Sequence, residues 1–512
     1  MAYLSIDVGT TMVKAVMFDA AGHEIKVARH GTVVNRGPNG ESEQDMYSVW
    51  DAVVHAVRTV VHLVQEPVEA IALTGQGDGV WLLGPDGRPT GPAILWNDAR
   101  ASATTAAWAT SGLLDEAYRI NGNLGFPGTQ TAILTWLRAN DPERLEASHK
   151  SVYCTGWIYN RMTGEFAADE SDAASPFLNI TTGEYSPEIL EMFDMPWAER
   201  LLPEVRRDGS RISALTDTAA AELRVPAGLP VVLAPFDIPV TAIGIGAVRP
   251  GQACTILGTT LSTDIVLDRF VKTSRPAGMT LPSGVPDTYI KSLAAMAGVE
   301  IVSWGQSLMG LDNPNWLSDL AATTDPGANG LLFHPYMSPA GERAPFLDPQ
   351  ARGSLIGLSF EHSRAHIARA LIEGMSYAIR NCLEYGDREI TDFRLSGGGA
   401  NSAVWCQILA DVSGIPTMRS KDSEIGAKGA LLTGLVALGI ERDMVAAADR
   451  YVEARHTYEP NPVAVRVYEE MYGRFIALLP EMAKQWPAVA ETREAIAAVN
   501  ARATTADEGA GV

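Results

Sequence analysis

The chain has 512 residues, 46% hydrophobic and 20% charged, a globular composition too long for one ordinary core and suited to two domains. Its 61 acidic against 40 basic residues give a net charge of −21, which opposes binding to a nucleic-acid backbone. No apolar run is long enough to span a bilayer, and no basic segment precedes an apolar one at the start, so neither a membrane nor a signal peptide is expected. The four cysteines, Cys154, Cys254, Cys382 and Cys406, are scattered without a CxxC pair, which suits a reducing cytoplasm and argues against structural zinc.

In chain order, Tyr3–Asp7 and Val13–Asp19 read as strands around the turn Gly9-Thr10-Thr11. Ala20 to His23 is a hairpin turn into a third strand, Glu24–Val27. From Asp45 to Val64 the residues Val49, Val53, Val57, Val60, Val61 and Val64 share one helical face. Val68–Leu73 is a short apolar strand that runs into the glycine-rich turn Thr74 to Gly79. Residues 100–230 are an insertion of mixed helix and loop carrying Trp108, Trp136, Trp157 and Trp197.

The second half repeats the order. Ala253–Leu257 and Ser262–Leu267 flank Gly258-Thr259-Thr260, then come a helix from His366 to Tyr385, a strand Asp392–Leu395, and the turn Ser396 to Asn401. In both halves Gly-Thr-Thr leads through an apolar stretch to an Asp, Asp19 and Asp268. This shared order indicates duplication. The turn chemistry of Arg249-Pro250-Gly251 puts the boundary near 246–252. The expected division is residues 1–248 as the first domain and 249–485 as the second. Helices near 426–439 and 463–484 precede a weakly amphipathic Ala-rich tail, 486–512, frayed from Thr504.

Several residues admit two readings. Asp7 with Gly9, Thr10 and Thr11 is either a tight hairpin or a phosphate loop whose Asp holds Mg²⁺ through water; the second copy, Gly258 to Thr260, favours the loop. Lys14 either reaches a phosphate or is a solvated strand residue. Asp237 lies between the apolar runs Val231–Phe236 and Ile238–Gly244, and suits a helix N-cap, a rigidly held catalytic base, or both. Gln76, Gly77, Asp78, Asn97 and Asp98 follow apolar runs, as surface turns or as polar groups reading adjacent hydroxyls. Trp81 and Trp96 could stack on a sugar or fill a core. Gly397 to Gly399 with Asn401 opens a helix, as a loose loop or as a backbone that a planar ring or phosphate can approach. Neither a GxGxxG fingerprint nor a GxxxxGK[ST] loop is present, nor a His-Glu-x-x-His or Gly-x-Ser-x-Gly motif.

Taken together, these segments resemble the FGGY carbohydrate kinases of the actin-like ATPase superfamily, over residues 2 to about 475. The matching stretches are Ile6–Thr11, Glu43–Asp45 with Trp50, Thr74–Gly79, Pro92–Arg100, Leu257–Thr260, Gly341–Phe346 and Leu395–Asn401. The resemblance implies an α/β fold of two actin-like (ribonuclease H-like) ATPase domains with a nucleotide cleft between them. It also implies ATP with Mg²⁺, and a sugar or polyol phosphorylated on a terminal hydroxyl. By the same resemblance Asp237 is the general base and Asp7 the metal-associated residue; an ordinary carboxylate pKa is acceptable for that base, because proton loss is late in a loose transition state. Thr10, Thr11, Lys14, Gly258, Thr259, Thr260, Gly398, Gly399 and Asn401 fall on the ATP side. Gln76, Gly77, Asp78, Trp81, Asn97, Asp98 and Asp237 fall on the substrate side. D-xylulose kinases usually carry Gln-Met-His-Gly where this chain has Gln76-Gly77-Asp78-Gly79, and Gly-Asp where it has Phe236-Asp237. Those departures point to a C4–C5 polyol or ketose of the erythritol or L-xylulose type, with D-xylulose as the runner-up. An actin-like ATPase switch without kinase activity is the alternative of another class, and a sugar-binding module without catalysis a third. A cytoplasmic homodimer fits the resemblance.

Overall fold

The computed structural model describes residues 2–272, 276–311, 313, 316–386 and 388–509. Two sheets organise the chain. In the first, Ala2–Val8 pairs antiparallel with Met12–Asp19, which pairs antiparallel with Glu24–Gly31. On its other side Ala2–Val8 runs parallel to Val68–Gly75, and that strand parallel to Pro230–Leu233. In the second sheet Gln252–Leu257, Leu261–Leu267 and Tyr289–Ala295 form the same antiparallel meander. Asp392–Ser396 and Thr417–Ser420 then add in parallel. Each sheet therefore has the order third–second–first–fourth–fifth. The duplication expected from the Gly-Thr-Thr turns is a duplication of topology. The strand Tyr289–Ala295, which the sequence reading did not identify, completes the second meander.

Local chemistry explains the elements. The helix Met46–Val64 starts where Asp45 Oδ1 accepts the N–H of Ser48 at 2.7 Å and stops at Gln65, whose φ is 54°. Its buried face includes Val49, Val53, Val57 and Val60. The corresponding helix of the second half, Arg364–Leu383, buries most of its length. The insertion lies between the fourth and fifth strands of the first sheet and reaches across to the second. Leu124 N–H donates to Gly278 O at 3.1 Å, and Thr280 N–H to Gly122 O at 2.8 Å, beside the edge strand Met279–Pro282. The terminal segment is not frayed from Thr504. It is helical over Trp486–Gly509, with 510–512 outside the described residues. Trp486 anchors it by stacking on Phe346 and bonding Arg352 O, and alanine favours helix beyond that anchor.

The halves meet through two helices, Asp237–Gly244 from the first and Ile425–Ala437 from the second. They touch backbone to backbone. A Cβ at Gly244 would lie 1.9 Å from Ile425 O, and one at Gly429 would lie 1.9 Å from Val240 O. Around this crossing Val16, Phe18, Ile243, Leu431 and Leu435 form one apolar cluster drawn from both halves. We expect Gly429→Ala to destabilise the protein by about 2 kcal/mol or more, because the helices must separate to admit a methyl group. A thermal melt checks this, and an unchanged transition would show that the crossing yields.

Candidate active site

Both helices of the crossing begin at the same cleft. Asp237 is the first residue of its helix, and an added Cβ at Gly426, in the first turn of the other, would lie 3.2 Å from Asp7 Oδ2. A cavity of about 270 Å³ opens here between the halves. Its walls carry Gly77, Asp78, Trp96, Phe126, Phe236, Asp237 and Thr241 from the first half, and Thr260, Ser262, Ser292 and Arg343 from the second.

The first turn is braced by a closed ring of hydrogen bonds. Thr10 Oγ1 donates to Gln76 Oε1 at 2.8 Å, Gln76 Nε2 to Gln44 Oε1 at 3.0 Å, and Gln44 Nε2 to Thr10 O at 2.8 Å. Trp96 Nε1 donates to Thr10 Oγ1 at 3.0 Å. The Thr10 hydroxyl is thus unable to donate to a phosphate in this arrangement, while Thr11 is exposed. Lys14 Nζ bridges Asp7 Oδ2 at 3.4 Å and Glu424 Oε2 at 3.1 Å, joining the two halves beside the turn. The second turn closes through Gly258 N–H to Thr260 O at 3.2 Å, with Thr259 exposed and Thr260 on the cavity wall.

At the glycine run each residue has its own reason. Gly397 has φ 84°, and a Cβ there would lie 2.7 Å from Leu257 O. Gly399 leaves room for Trp405, 2.7 Å from a built Cβ, whereas Gly398 faces open space. Of the two glycines of this run expected on the ATP side, Gly398 is therefore the one whose backbone faces open space. Asn401 is exposed, and its carboxamide oxygen accepts from Arg419.

Some expected substrate residues lie elsewhere. Trp81 is fully buried in the core of the first half, because its strand alternation turns the ring away from the cavity. Asp98 is held by Ser42 N–H and by the backbone and guanidinium of Arg100, which makes it a brace. Asn97 accepts from Ser42 Oγ at 2.7 Å, and the Gln76 amide is engaged in the ring; neither lines the cavity. Asp78 does line it. Its φ is 52° and its Oδ1 accepts from Ser175 Oγ at 2.7 Å. Gly77 also lines it, and a Cβ at Gly77 would lie 2.3 Å from the Phe236 ring. Two of the three positions at which the sequence departs from the D-xylulose pattern, 77 and 236, are therefore in contact, the missing side chain at one making room for the ring at the other.

The sequence reading missed Arg343 and Asp264. Arg343 lies within the segment Gly341–Phe346 that carries part of the resemblance. Asp264 interrupts the buried strand Leu261–Leu267, a polar residue where an apolar one is normal. It is fully buried; Ser262 Oγ donates to Oδ1 at 3.2 Å, and Oδ2 has no partner among the described residues.

Carboxylates dominate the electrostatics. Asp237 opens to the cleft but is surrounded by protein; poor solvation there, then Asp7, Asp78 and Asp264, push its pKa up to about 8. An ordinary carboxylate pKa would have served a late proton transfer; the crowding moves Asp237 above it. Burial raises Asp78 to about 6, against the restraint of Ser175 and Arg343, and Asp264 to about 7. Burial also raises Asp7, opposed by Lys14. Among the described residues no three His, Cys, Asp or Glu side chains converge on a metal position. A lone Asp7 carboxylate fits Mg²⁺, which takes most of its ligands from water and phosphate.

Comparison with known proteins agrees with this architecture. Models of the FGGY family of carbohydrate kinases match residues 2–244 (N-terminal domain) and 287–438 (C-terminal domain). The chain is 30% identical to an erythritol kinase of Brucella abortus, over 95% of this chain and 97% of that protein. It is 30% identical to a xylulose kinase of Escherichia coli, over 86% and 91%. A ligand-bound xylulose kinase from Lactobacillus acidophilus superposes with a TM-score of 0.89 at 22% identity, covering 95% of this chain and 99% of that one, a likeness of fold. Among the described residues no helix is long and apolar enough to cross a membrane.

Asp264 supplies a pH test of the carboxylate cluster. Its folded-state pKa is raised, so the folded protein holds a proton that the unfolded chain releases, and stability falls as pH rises from about 4 through about 7. Asp264→Asn removes that loss. We expect the variant to gain little over the wild type near pH 4 and on the order of a few kcal/mol by pH 8 in urea denaturation. An equal difference at both pH values would contradict the assignment.

Proposed function

This chain belongs to the FGGY family of carbohydrate kinases, and from that premise we propose that it transfers the γ-phosphoryl group of ATP to a terminal hydroxyl of a C4–C5 polyol or ketose of the erythritol or L-xylulose type. The observation that carries the reading is the position of Asp237, rigid at a helix start, open to the cavity, and on the side of the cleft where Asp7 lies.

The acceptor lies in the cavity with its terminal hydroxyl at the Asp237 carboxylate. As the acceptor oxygen bonds to the γ-phosphorus, the bond from that phosphorus to the bridging oxygen of ADP breaks, and the hydroxyl proton passes to Asp237. Backbone N–H groups of the two Gly-Thr-Thr turns receive the phosphates, one turn from each half. Lys14 holds the first turn's Asp7 against Glu424 of the second half. Asp7 would hold Mg²⁺, which would supply neutralising charge to the phosphate oxygens. Closure of the halves excludes water, so the acceptor competes successfully for the phosphoryl group. Gly398 offers open backbone to the adenosine end.

For the acceptor, the Gly77–Phe236 contact favours the erythritol or L-xylulose type: the Phe236 ring fills volume that a longer residue at position 77 would need. Similarity to an erythritol kinase over almost the whole chain supports the same choice. Equal identity to a xylulose kinase keeps D-xylulose as the second reading. The four buried, unpaired thiols fit a cytoplasmic enzyme.

A coupled ADP-release assay across C3–C6 polyols and ketoses, both enantiomers, tests the reading. We expect turnover only with an acceptor present. Asp237→Asn is expected to reduce that turnover by about 10²-fold or more while leaving nucleotide affinity nearly unchanged. ATP hydrolysis at the same rate without any acceptor would replace the kinase with a nucleotide-driven switch.

A further inference from the structure

The cavity holds a cation that the transfer step does not use. Arg343 comes from the second half, and its Nε donates to Ala294 O at 2.9 Å. Its Cζ lies 6.0 Å from the centre of the Trp96 ring, on the first half. These contacts fix the base of the guanidinium. Its two terminal amino groups have no hydrogen-bond partner among the described residues, although the side chain lines the cavity. The adjacent Glu342 does not neutralise it directly. Glu342 Oε1 instead accepts from the backbone N–H groups of Met296, Arg343 and Ala344.

Asp78 has the complementary character. One oxygen is fixed by Ser175, and the other has no hydrogen-bond partner among the described residues. Asp78 and Arg343 feel each other's charge but do not form an ion pair within 4.0 Å. A guanidinium donates through two parallel N–H groups and cannot accept, whereas a carboxylate accepts. Set apart in one cavity, the two match a ligand with adjacent oxygens that both accept and donate. Two neighbouring hydroxyls, or a carbonyl beside a hydroxyl, have that character.

The cation acting on Asp7 is Lys14, whereas Arg343 acts on Asp78. Arg343 and Asp78 both line the cavity, whereas Asp7 is paired with Lys14 and lies outside that lining, so Arg343 faces the acceptor's space rather than Asp7. A negatively charged acceptor would enter a cavity that already holds Asp78 and Asp237 with Asp264 behind its wall. Resting on the carbohydrate-kinase reading, we propose that Arg343 and Asp78, one from each half, grip two adjacent oxygens at the non-reacting end of a neutral acceptor, so that the binding site is complete only when the halves close on it.

Steady-state kinetics with an accepted polyol or ketose, and with analogues lacking one hydroxyl at a time, test this. For wild type, one analogue lacking a hydroxyl away from the reacting end should lose at least about tenfold in kcat/KM, the size of one charge-assisted hydrogen bond. Arg343→Gln should raise the acceptor KM by at least about tenfold, leave the KM for ATP within about twofold, and erase most of that analogue's penalty. Arg343→Lys, a point charge without the fork, should fall between. A rise in the KM for ATP matching that for the acceptor would make Arg343 a phosphate contact and overturn the proposal. So would full additivity of the variant and analogue penalties, or an aldonate preferred over the matched polyol. Should Arg343→Gln fail to fold, the wild-type series decides, and an equal response to every analogue overturns the pairing. Failure of the kinase reading would look different: no acceptor would stimulate ADP release by the wild type.

Discussion

Two helices that touch without side chains between them set the geometry of this protein. Gly244 and Gly429 bring Asp237–Gly244 and Ile425–Ala437 into backbone contact, one helix from each half. Because both helices start at the cleft, the contact fixes where Asp237 stands relative to Asp7 and Glu424. Lys14 to Glu424, Arg29 to Glu424, and Glu24 to the backbone N–H groups of Ser423 and Glu424 reinforce the same joint from the surface side. The insertion pairs with the edge of the second sheet on the other side of the cavity. The halves are therefore connected at both margins of the cleft, and the cavity between them takes walls from each.

Within that cavity, negative charge outweighs positive. Asp7, Asp78 and Asp264 all raise Asp237, and burial raises each of those three as well. Such crowding is costly in a folded protein unless protons or ligands relieve it. It also suits a site for a neutral acceptor that must lose a proton as it reacts. The Oδ2 of Asp264, without a hydrogen-bond partner among the described residues, belongs to the same pattern, its carboxyl raised by burial to about 7.

The repeated parts were legible in the sequence because each depends on local chemistry. Alternating apolar residues gave the paired strands, Asp45 and the valine face gave the first long helix, and Asp237 stood out between two apolar runs. The side to which a residue turns was harder to read. Trp81 and Trp96 both follow glycine-rich or apolar segments, yet one ring fills a core and the other borders the cavity. Gln76 and Asp98 look like ligands for a sugar because they are polar at strand ends, but their partners, Gln44, Thr10, Ser42 and Arg100, come from other segments. Arg343 is separated from Asp78 by about half of the chain, and only the packing of the second half against the first brings them into one cavity. The Gly77–Phe236 contact shows the reverse case, two departures visible in sequence whose relation needed the fold.

The central claim is that Asp237, with its pKa raised by its surroundings, takes the proton of the acceptor hydroxyl. The most direct measurement is the pH dependence of kcat/KM for the acceptor between pH 5 and 9. A base that must be ionised, and whose pKa is pushed up to about 8, gives a rate that climbs with pH and levels only above that value. A profile flat from pH 5 upward would contradict the account, since it would place the controlling group in the ordinary carboxylate range or remove Asp237 from the proton transfer.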